Sequence, residues 1–292
     1  MSSVSVWIKG ARLRTLPLAI APVVMGAGTA ASDDKFSLGL VFLALLVALF
    51  LQVGVNYAND YSDGVRGTDA NRVGPKRLTG GGLAEPKKVR LAAFICFGLA
   101  GVFGLLISVL TNHYWFIALG LICVVAAWFY TGGKKPYGYL GLGELVVFVF
   151  FGLVAVMGTD YIQTGSYSYL ALIAGCISGC FATAVLLINN IRDIETDKAS
   201  NKKTLASRIG KKPALFLFNL LIIAPFVLVY FVWSLAPAVF IVNVLFLLAI
   251  IILIVANTAK KPKEQILALA LTSYLSLLFA FGFTWGLFTV IF

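Results

Sequence analysis

Nine long apolar runs, separated by short polar segments, make up most of this chain. Each run approaches the length of about 20 helical residues that crosses the apolar core of a bilayer. The runs cover residues 15–31, 37–58, 89–111, 114–130, 143–160, 168–190, 214–233, 236–257 and 266–290. Polar or turn-forming stretches such as Lys134-Lys135-Pro136 and Asp160 to Ser166 separate them. The pattern predicts an all-α membrane protein, with residues 1–292 forming a single domain and a single bundle of nine transmembrane helices.

The composition supports this interpretation and excludes a soluble protein. Hydrophobic residues occupy 60% of the 292 positions, and charged residues only 12%. The first apolar run follows Arg12 and Arg14 and has no small-residue cleavage site, which predicts a retained helix rather than a signal peptide. The four cysteines lie inside apolar runs without metal-ligand spacing to His113, so we expect neither a disulfide framework nor a zinc site.

The distribution of Lys and Arg predicts the orientation of the bundle, because cytoplasmic loops of membrane proteins are enriched in these residues. With nine spans, 22 of the 23 Lys and Arg residues fall on one side, and only Lys35 falls on the other. This predicts a protein of the cell (cytoplasmic) membrane with a cytoplasmic N-terminus and an external C-terminus. The net charge of +11 therefore reflects topology, and we expect no nucleic-acid partner, since no soluble domain is present to bind one.

Two short polar clusters contain six of the twelve carboxylates in the chain. The first acidic cluster follows the second apolar run and consists of Asn56, Asn59, Asp60, Asp63 and Asp69. The second acidic cluster follows the sixth run and consists of Asn189, Asp193, Glu195 and Asp197. Spacings of three and four residues place side chains on one face of a helix. Both clusters lie on the predicted cytoplasmic side, so they can form one site.

The residue types in these clusters indicate metal and phosphate chemistry. Carboxylates this close repel one another unless a cation lies between them, and hard oxygen ligands suit a Mg²⁺ ion that also holds a phosphate group. Ionisable groups at the end of a membrane helix usually mark an ion or substrate site. We therefore expect Asp60, Asp63, Asp193 and Asp197 to bind Mg²⁺ with a substrate diphosphate, in a cavity on the cytoplasmic side.

Basic and amide side chains near the clusters are candidates for binding the diphosphate oxygens that the metal does not reach. The candidate substrate-binding residues of these types are Asn56, Asn59, Arg66, Arg72, Lys76, Arg77, Asn189, Arg192 and Lys203. Among the basic residues, Arg72, Lys76, Arg77 and Lys135 are the strongest candidates for a role in catalysis. A Gly-Lys-[Ser/Thr] phosphate loop does not occur, so ATP hydrolysis is unsupported.

Two other interpretations compete with this one. The acidic residues could be solvated loop residues paired with neighbouring Lys or Arg. An ion-coupled transporter would also use carboxylates in the membrane, but near the midplane on broken helices, whereas Glu144 at a helix start is the only such candidate. The Asn-plus-Asp pattern at equivalent ends of two helices favours a catalytic site.

Several sequence strings resemble the UbiA-type intramembrane prenyltransferases. Asn59-Asp60-x-x-Asp63 with Asp69, and Asp193-x-x-x-Asp197, are similar to the two aspartate motifs of that family. The longer strings Arg12 to Pro17, Asn59 to Asp69, Tyr130 to Tyr139 and Asn189 to Arg208 resemble the members that prenylate 1,4-dihydroxy-2-naphthoate. The resemblance covers residues from about 10 to 210, and the last three runs match only as apolar spans.

The resemblance implies a Mg²⁺-dependent enzyme that works in the lipid bilayer. It would transfer a polyprenyl group from polyprenyl diphosphate to 1,4-dihydroxy-2-naphthoate with loss of CO₂, a step of menaquinone biosynthesis. Asp69 or Asp197 would serve as base, Lys135 would assist catalysis, and the rings of Tyr130, Tyr137 or Tyr139 would stabilise the developing allylic cation. The same chemistry with another acceptor, such as 4-hydroxybenzoate, is the nearest alternative.

Overall fold

The computed structural model describes residues 3–69 and 74–289, and all regular secondary structure within these ranges is helical. The α-helices are α1 (Ser3–Ala11), α2 (Pro17–Ser32), α3 (Leu38–Arg66), α4 (Pro86–Thr111), α5 (Trp115–Phe129), α6 (Gly143–Val147), α7 (Ala155–Thr164), α8 (Tyr169–Arg192), α9 (Ile194–Ala199), α10 (Leu205–Ile209), α11 (Lys211–Leu228), α12 (Phe246–Thr258) and α13 (Pro262–Phe288). A π-helix over Phe148–Val154 joins α6 to α7, so that Gly143–Thr164 forms one span. Short 3₁₀-helices cover Leu13–Thr15, Tyr137–Leu140, Val229–Phe231 and Pro237–Leu245.

The number of membrane spans is seven or eight by helix length and apolarity within the described residues. Helices occur at all nine predicted positions, but α5 has only 15 residues and falls short of a full span. Two segments, Val4–Thr15 and Pro17–Ser32, are bent by 50° at their junction and make the eighth span if they are counted as one. Arg12 lies at this bend with a left-handed φ of 55°. The nine-span count therefore stays a prediction.

One polar residue expected in a loop lies inside a helix. The sequence pattern ends the fifth run at Asp160, but α7 continues to Thr164 and ends at Gly165, whose φ of +74° provides the left-handed C-cap. Asp160 is consequently buried, with 1% of its surface exposed. It faces α2 where the two helices meet closely, since a Cβ on Gly26 would lie 2.4 Å from the carbonyl oxygen of Val156.

The packing of the helices is uneven. A large apolar core forms where α8 packs against α2, α11 and α13, and the central part of α8 is mostly buried. A smaller core joins α3 and α4. Helix α5, in contrast, packs on α4 and α3 without burying any of its residues. A cavity lies beside α5 and is also bordered by α2, α3, α4 and α8.

Candidate active site

The first acidic cluster lies at the end of α3, which extends beyond the predicted apolar run to Arg66. Because the helix persists through this segment, Asn56, Asp60 and Asp63 share one face, and all three are buried. Helix α3 ends at Gly67, whose φ of +75° allows the chain to turn back. We call this end of the bundle, where α3 and α8 both finish, the acidic end.

Asp60 is held by main-chain donors. Its two carboxylate oxygens each accept a hydrogen bond of 3.1 Å, one from the N–H of Leu78 and one from the N–H of Thr79. Hydrogen bonds to a carboxylate are among the stronger ones in proteins. Asp60 therefore fastens the loop at 74–84 onto α3. Gly64 permits this contact, because a Cβ there would lie 2.5 Å from the Cβ of Thr79.

Asp63 is contacted by residues that the sequence places far away. The hydroxyl of Tyr139 donates a 2.8 Å hydrogen bond to Asp63 Oδ1. Burial, followed by the nearby charge of Asp63, raises the pKa of Tyr139 above its usual range, so the phenol stays protonated as a donor. The guanidinium carbon of Arg66 lies 5.4 Å from the Tyr139 ring centroid, a cation–π distance.

The segment between α5 and α6 is fastened to the first cluster by further hydrogen bonds. Thr131 donates a 2.8 Å bond to the side-chain oxygen of Asn59, and Arg66 donates to the carbonyls of Thr131 and Gly133. Asn56 donates a 3.0 Å bond to the carbonyl of Ala11, near the bend of the first span. Three stretches of the chain thus converge on the end of α3.

The second acidic cluster lies at the end of α8 and in α9. Arg192 forms a bidentate pair with Asp193, with distances of 2.7 Å from Nε and 2.6 Å from Nη2, and also donates a 2.8 Å bond to Asn189. Asp197, one turn further, accepts a 3.2 Å bond from Thr204. Burial raises the pKa of Asp197 to about 6.

One ammonium group joins the two clusters. Lys202 Nζ lies 4.0 Å from Asp63 Oδ2 and 3.8 Å from Asp197 Oδ1. The same nitrogen lies 5.3 Å from the ring centroid of Tyr139. The two motifs are therefore brought together, as their shared side predicted, and a cation of the chain lies between them.

A cavity of about 1440 Å³ extends from the acidic end toward the opposite end of the bundle. Helices α2 to α5, the Gly143–Thr164 span and α8 line it mainly with apolar side chains. Gly98, Gly101, Gly104 and Gly120 form part of its wall, and a Cβ at any of these would meet no atom within 4 Å. Such a cavity suits a long apolar molecule with a polar group at the acidic end.

The structure distributes the predicted site residues between three locations. Those that line the cavity are Asn56, Asn59, Asp60, Lys76, Arg77, Tyr130, Asn189 and Arg192. Those at the junction beside it are Arg66, Asp63, Asp69, Tyr139, Asp193 and Asp197, with Asp69 paired to Arg77 at 3.9 Å. Lys135 and Lys203 are exposed, and Arg72 lies outside the described residues.

Several residues at the site are not among the predicted site residues. Arg12 and Arg14, which belong to a string that resembles the family, line the cavity, and Arg12 donates a 3.3 Å bond to the carbonyl of Asn56. Glu144 is buried and accepts a 2.9 Å bond from Asn190. Lys202 lies in a segment rich in basic residues, and sequence spacing alone does not distinguish it from the basic residues around it.

The carboxylates of the two acidic clusters are chemically suitable ligands for a divalent metal, although those that the structure describes are not gathered around one point. Within 3–69 and 74–289, no three His, Cys, Asp or Glu side chains converge closely enough to form a metal site. Asp63 and Asp197 nevertheless share a cation in Lys202, which shows that the space between them accepts positive charge. Carboxylate oxygens are the ligands that Mg²⁺ prefers.

Comparison with known proteins identifies the family. The profile of the UbiA prenyltransferase family matches residues 19–275. The chain belongs to the UbiA prenyltransferase family. This UbiA chain is 49% identical over 228 residues to a 1,4-dihydroxy-2-naphthoate octaprenyltransferase of Mycobacterium leprae, covering 78% of this chain and 77% of that one. It is 38% identical over 293 residues to the protein of that name from Haemophilus influenzae, covering 96% and 95% of the two chains.

The fold of this UbiA protein is also found among solved structures. A UbiA homologue from Archaeoglobus fulgidus, bound to GPP and Mg²⁺, matches with a TM-score of 0.64 at 16% identity, over 94% of this chain and 99% of that one. A UbiA homologue from Aeropyrum pernix K1 in the apo state matches with a TM-score of 0.65 at 14% identity. These likenesses establish the helical UbiA fold, and the chain is an integral membrane prenyltransferase.

Proposed function

We propose that this protein transfers a polyprenyl group from polyprenyl diphosphate to 1,4-dihydroxy-2-naphthoate, releasing diphosphate and CO₂ and giving demethylmenaquinol, the hydroquinone form of demethylmenaquinone. The observation that carries the proposal is the meeting of two acidic clusters at the polar end of a long apolar cavity. The acceptor is supported by the relatives from M. leprae and H. influenzae, whose name specifies 1,4-dihydroxy-2-naphthoate.

The diphosphate would be bound at the acidic end. Structures of the A. fulgidus homologue hold Mg²⁺ or Cd²⁺, which supports a divalent cofactor here, and we propose Mg²⁺. Bound at Asp63 and Asp197, with Asp60 and Asp193 beside them, it would neutralise the leaving diphosphate. Lys76, Arg77 and Arg192, which line the cavity at this end, would hold the remaining diphosphate oxygens, together with Asn56, Asn59 and Asn189.

The bond changes of the proposed reaction balance without a further reactant. The allylic C–O bond breaks and the diphosphate leaves with the electron pair. The carboxyl-bearing carbon of the naphthoate ring attacks the allylic carbon, and the bond to the carboxylate breaks to give CO₂ and restore aromaticity. Tyr130 and Tyr137 line the cavity, with ring centroids 5.5 Å apart in an edge-to-face arrangement. We propose that these rings stabilise the cationic carbon.

A carboxylate could assist by removing a proton from a ring hydroxyl of the acceptor. Asp69 and Asp197 both remain candidates for this base. Asp69 is paired with Arg77, whereas Asp197 has a raised pKa of about 6, closer to the value that suits proton transfer at neutral pH. We propose that the exposed side chains of Lys135 and Lys203 guide substrates to the acidic end. Arg66 and Tyr139, which lie next to each other beside Asp63, would help to position them there.

The isoprenoid tail would occupy the apolar cavity and extend into lipid. Each buried CH₂ group contributes about 0.8 kcal/mol, so a long tail strongly favours apolar surroundings. We propose a lateral opening beside α5, which buries none of its residues although it lines the cavity. We also propose that the chain forms a single domain with nine spans, in which the N-terminus and the active site are cytoplasmic and the C-terminus is external.

The test is transfer of a radiolabelled polyprenyl group from its diphosphate to 1,4-dihydroxy-2-naphthoate by the purified protein, with CO₂ release followed in parallel. We expect product and CO₂ in equal amounts with Mg²⁺, and no transfer in EDTA. Transfer to 4-hydroxybenzoate but not to naphthoate would keep the diphosphate site and replace the acceptor. Undiminished transfer in EDTA would remove the metal from the proposal.

A further inference from the structure

Lys202 lies between the two acidic clusters, although it belongs to neither aspartate motif. Its ammonium group is the contact between Asp63 at the end of α3 and Asp197 in α9, at 4.0 Å and 3.8 Å. The Lys202 side chain is only 18% exposed, and the two carboxylates are 6% and 9% exposed. A lysine so enclosed by opposite charges differs from the exposed lysines nearby, Lys198 in α9 and Lys203 after it.

The backbone directs Lys202 toward the clusters. The residue before it, Asn201, has a left-handed φ of 55°, which turns the chain back after α9. The N–H of Lys202 then donates a 2.8 Å hydrogen bond to the carbonyl of Asp197, and its own carbonyl accepts a 3.2 Å bond from Ser207. The loop is thus fixed on both sides of Lys202.

The ion pairs of Lys202 are long enough for another cation to replace its ammonium group. Distances of 3.8 Å and 4.0 Å exceed the range of about 2.7–3.2 Å for a hydrogen bond from nitrogen to oxygen. The ammonium group therefore neutralises both carboxylates without being bonded tightly to either. A divalent ion that binds to both carboxylates needs oxygen contacts of about 2.0–2.6 Å, so it requires the space that this ammonium group occupies.

We infer that Lys202 is an internal counter-ion that holds the two acidic clusters together before metal binding and is displaced from between Asp63 and Asp197 when a divalent ion binds. The inference rests on the proposed function, because it takes these two carboxylates as metal ligands. Lys202 lowers the affinity for the bare metal ion and makes the metal-free protein more stable. It is a positioning residue.

The test measures Mg²⁺ binding rather than turnover. The thermal unfolding of the purified full-length protein is followed as Mg²⁺ is added, for the wild type, Lys202→Gln and the control Lys198→Gln. The control removes the same charge from an exposed side chain nearby, in the last turn of α9. In Lys202→Gln we expect a lower unfolding temperature without metal, and a half-saturating Mg²⁺ concentration about tenfold lower than in the wild type, equivalent to about 1.4 kcal/mol.

The control and a conservative variant make the result specific. Lys198→Gln should bind Mg²⁺ as the wild type does, and Lys202→Arg, which keeps the positive charge, should stay within about twofold of the wild type. Unchanged or weaker Mg²⁺ binding in Lys202→Gln would overturn the inference and leave the proposed function intact. If Mg²⁺ stabilised none of the proteins, both the inference and the proposed metal site would fail.

Discussion

The two acidic clusters have similar residue patterns, but the protein balances their charges in different ways. In the first cluster, Asp60 accepts from two main-chain N–H groups and Asp63 from a tyrosine hydroxyl. In the second, Asp193 is paired with the guanidinium of the preceding residue, Arg192. The first cluster is therefore also a structural junction, whereas the guanidinium that pairs with Asp193 comes from the neighbouring residue. The two clusters have similar residue types and spacings, but the neighbouring groups decide what each carboxylate does.

The largest effect should come from Asp63 and Asp197, the two carboxylates between which Lys202 lies. Asp63→Asn and Asp197→Asn each remove a charge from the proposed metal site, and we expect turnover to fall on the order of 10²–10³-fold or more. The measurement is prenyl transfer at saturating substrate and Mg²⁺, with unfolding temperatures recorded for the same preparations. A variant with turnover near the wild-type value would exclude that carboxylate from the site.

A second experiment separates the structural carboxylate from the others. Asp60→Asn replaces an acceptor oxygen with an NH₂ group that faces a main-chain N–H, so one of the two buried hydrogen bonds is lost and a donor is left unsatisfied. We expect the free energy of unfolding to fall by about 2–4 kcal/mol. Asp63→Asn is the matched control, because its partners are side chains. Equal stability of the two variants would contradict the distinction drawn between Asp60 and Asp63.

The pH dependence should report the second cluster. The pKa of Asp197 is about 6, so this carboxyl is mostly protonated below pH 6 and cannot then bind a cation. At limiting Mg²⁺, turnover should rise with pH through about 6 and level off above it. Since Mg²⁺ favours the ionised form, more Mg²⁺ should move the midpoint to lower pH. A midpoint that does not respond to the Mg²⁺ concentration would refute this assignment.

The smallest effect should come from the tyrosine of the first cluster. Tyr139→Phe removes the hydroxyl that donates to Asp63 but keeps the ring beside Lys202 and Arg66. Loss of one such hydrogen bond changes an equilibrium by about 1 kcal/mol, so we expect a several-fold change in the Mg²⁺ requirement. Tyr137→Phe, whose hydroxyl donates to the carbonyl of Ala126, is the control. A shift as large as that of Asp63→Asn would assign Tyr139 a more direct role.

The sequence predicts the helices and the shared face of the first cluster because both depend on short-range pattern. Apolar runs specify where helices form, and the three- and four-residue spacings of Asn56, Asp60 and Asp63 specify a shared face. The extension of α3 to Arg66 follows from the same spacing, even though hydropathy alone ends the run earlier.

The remaining features depend on contacts between distant parts of the chain. The anchoring of Asp60 by Leu78 and Thr79, and the bridge from Lys202 to Asp63, join residues whose pairing leaves no periodic signal. The sequence pattern predicts a loop from Asp160 because an acidic residue usually ends an apolar run, but close packing of α2 on α7 buries this residue. Such positions follow from tertiary packing, which overrides local polarity.

The open glycines of the cavity wall bear on how this enzyme could be redesigned. Elsewhere in the bundle, glycine lets two helices come together, as at Gly152, where a Cβ would lie 2.5 Å from the carbonyl oxygen of Gly175. Gly98, Gly101 and Gly104 instead face empty space on α4. Alanine at these positions would favour the helix by up to about 1 kcal/mol each and leave the neighbouring helices undisturbed. Alanine substitutions at these positions would therefore reduce the cavity volume available to an isoprenoid tail by one methyl group at a time and stabilise α4 as well.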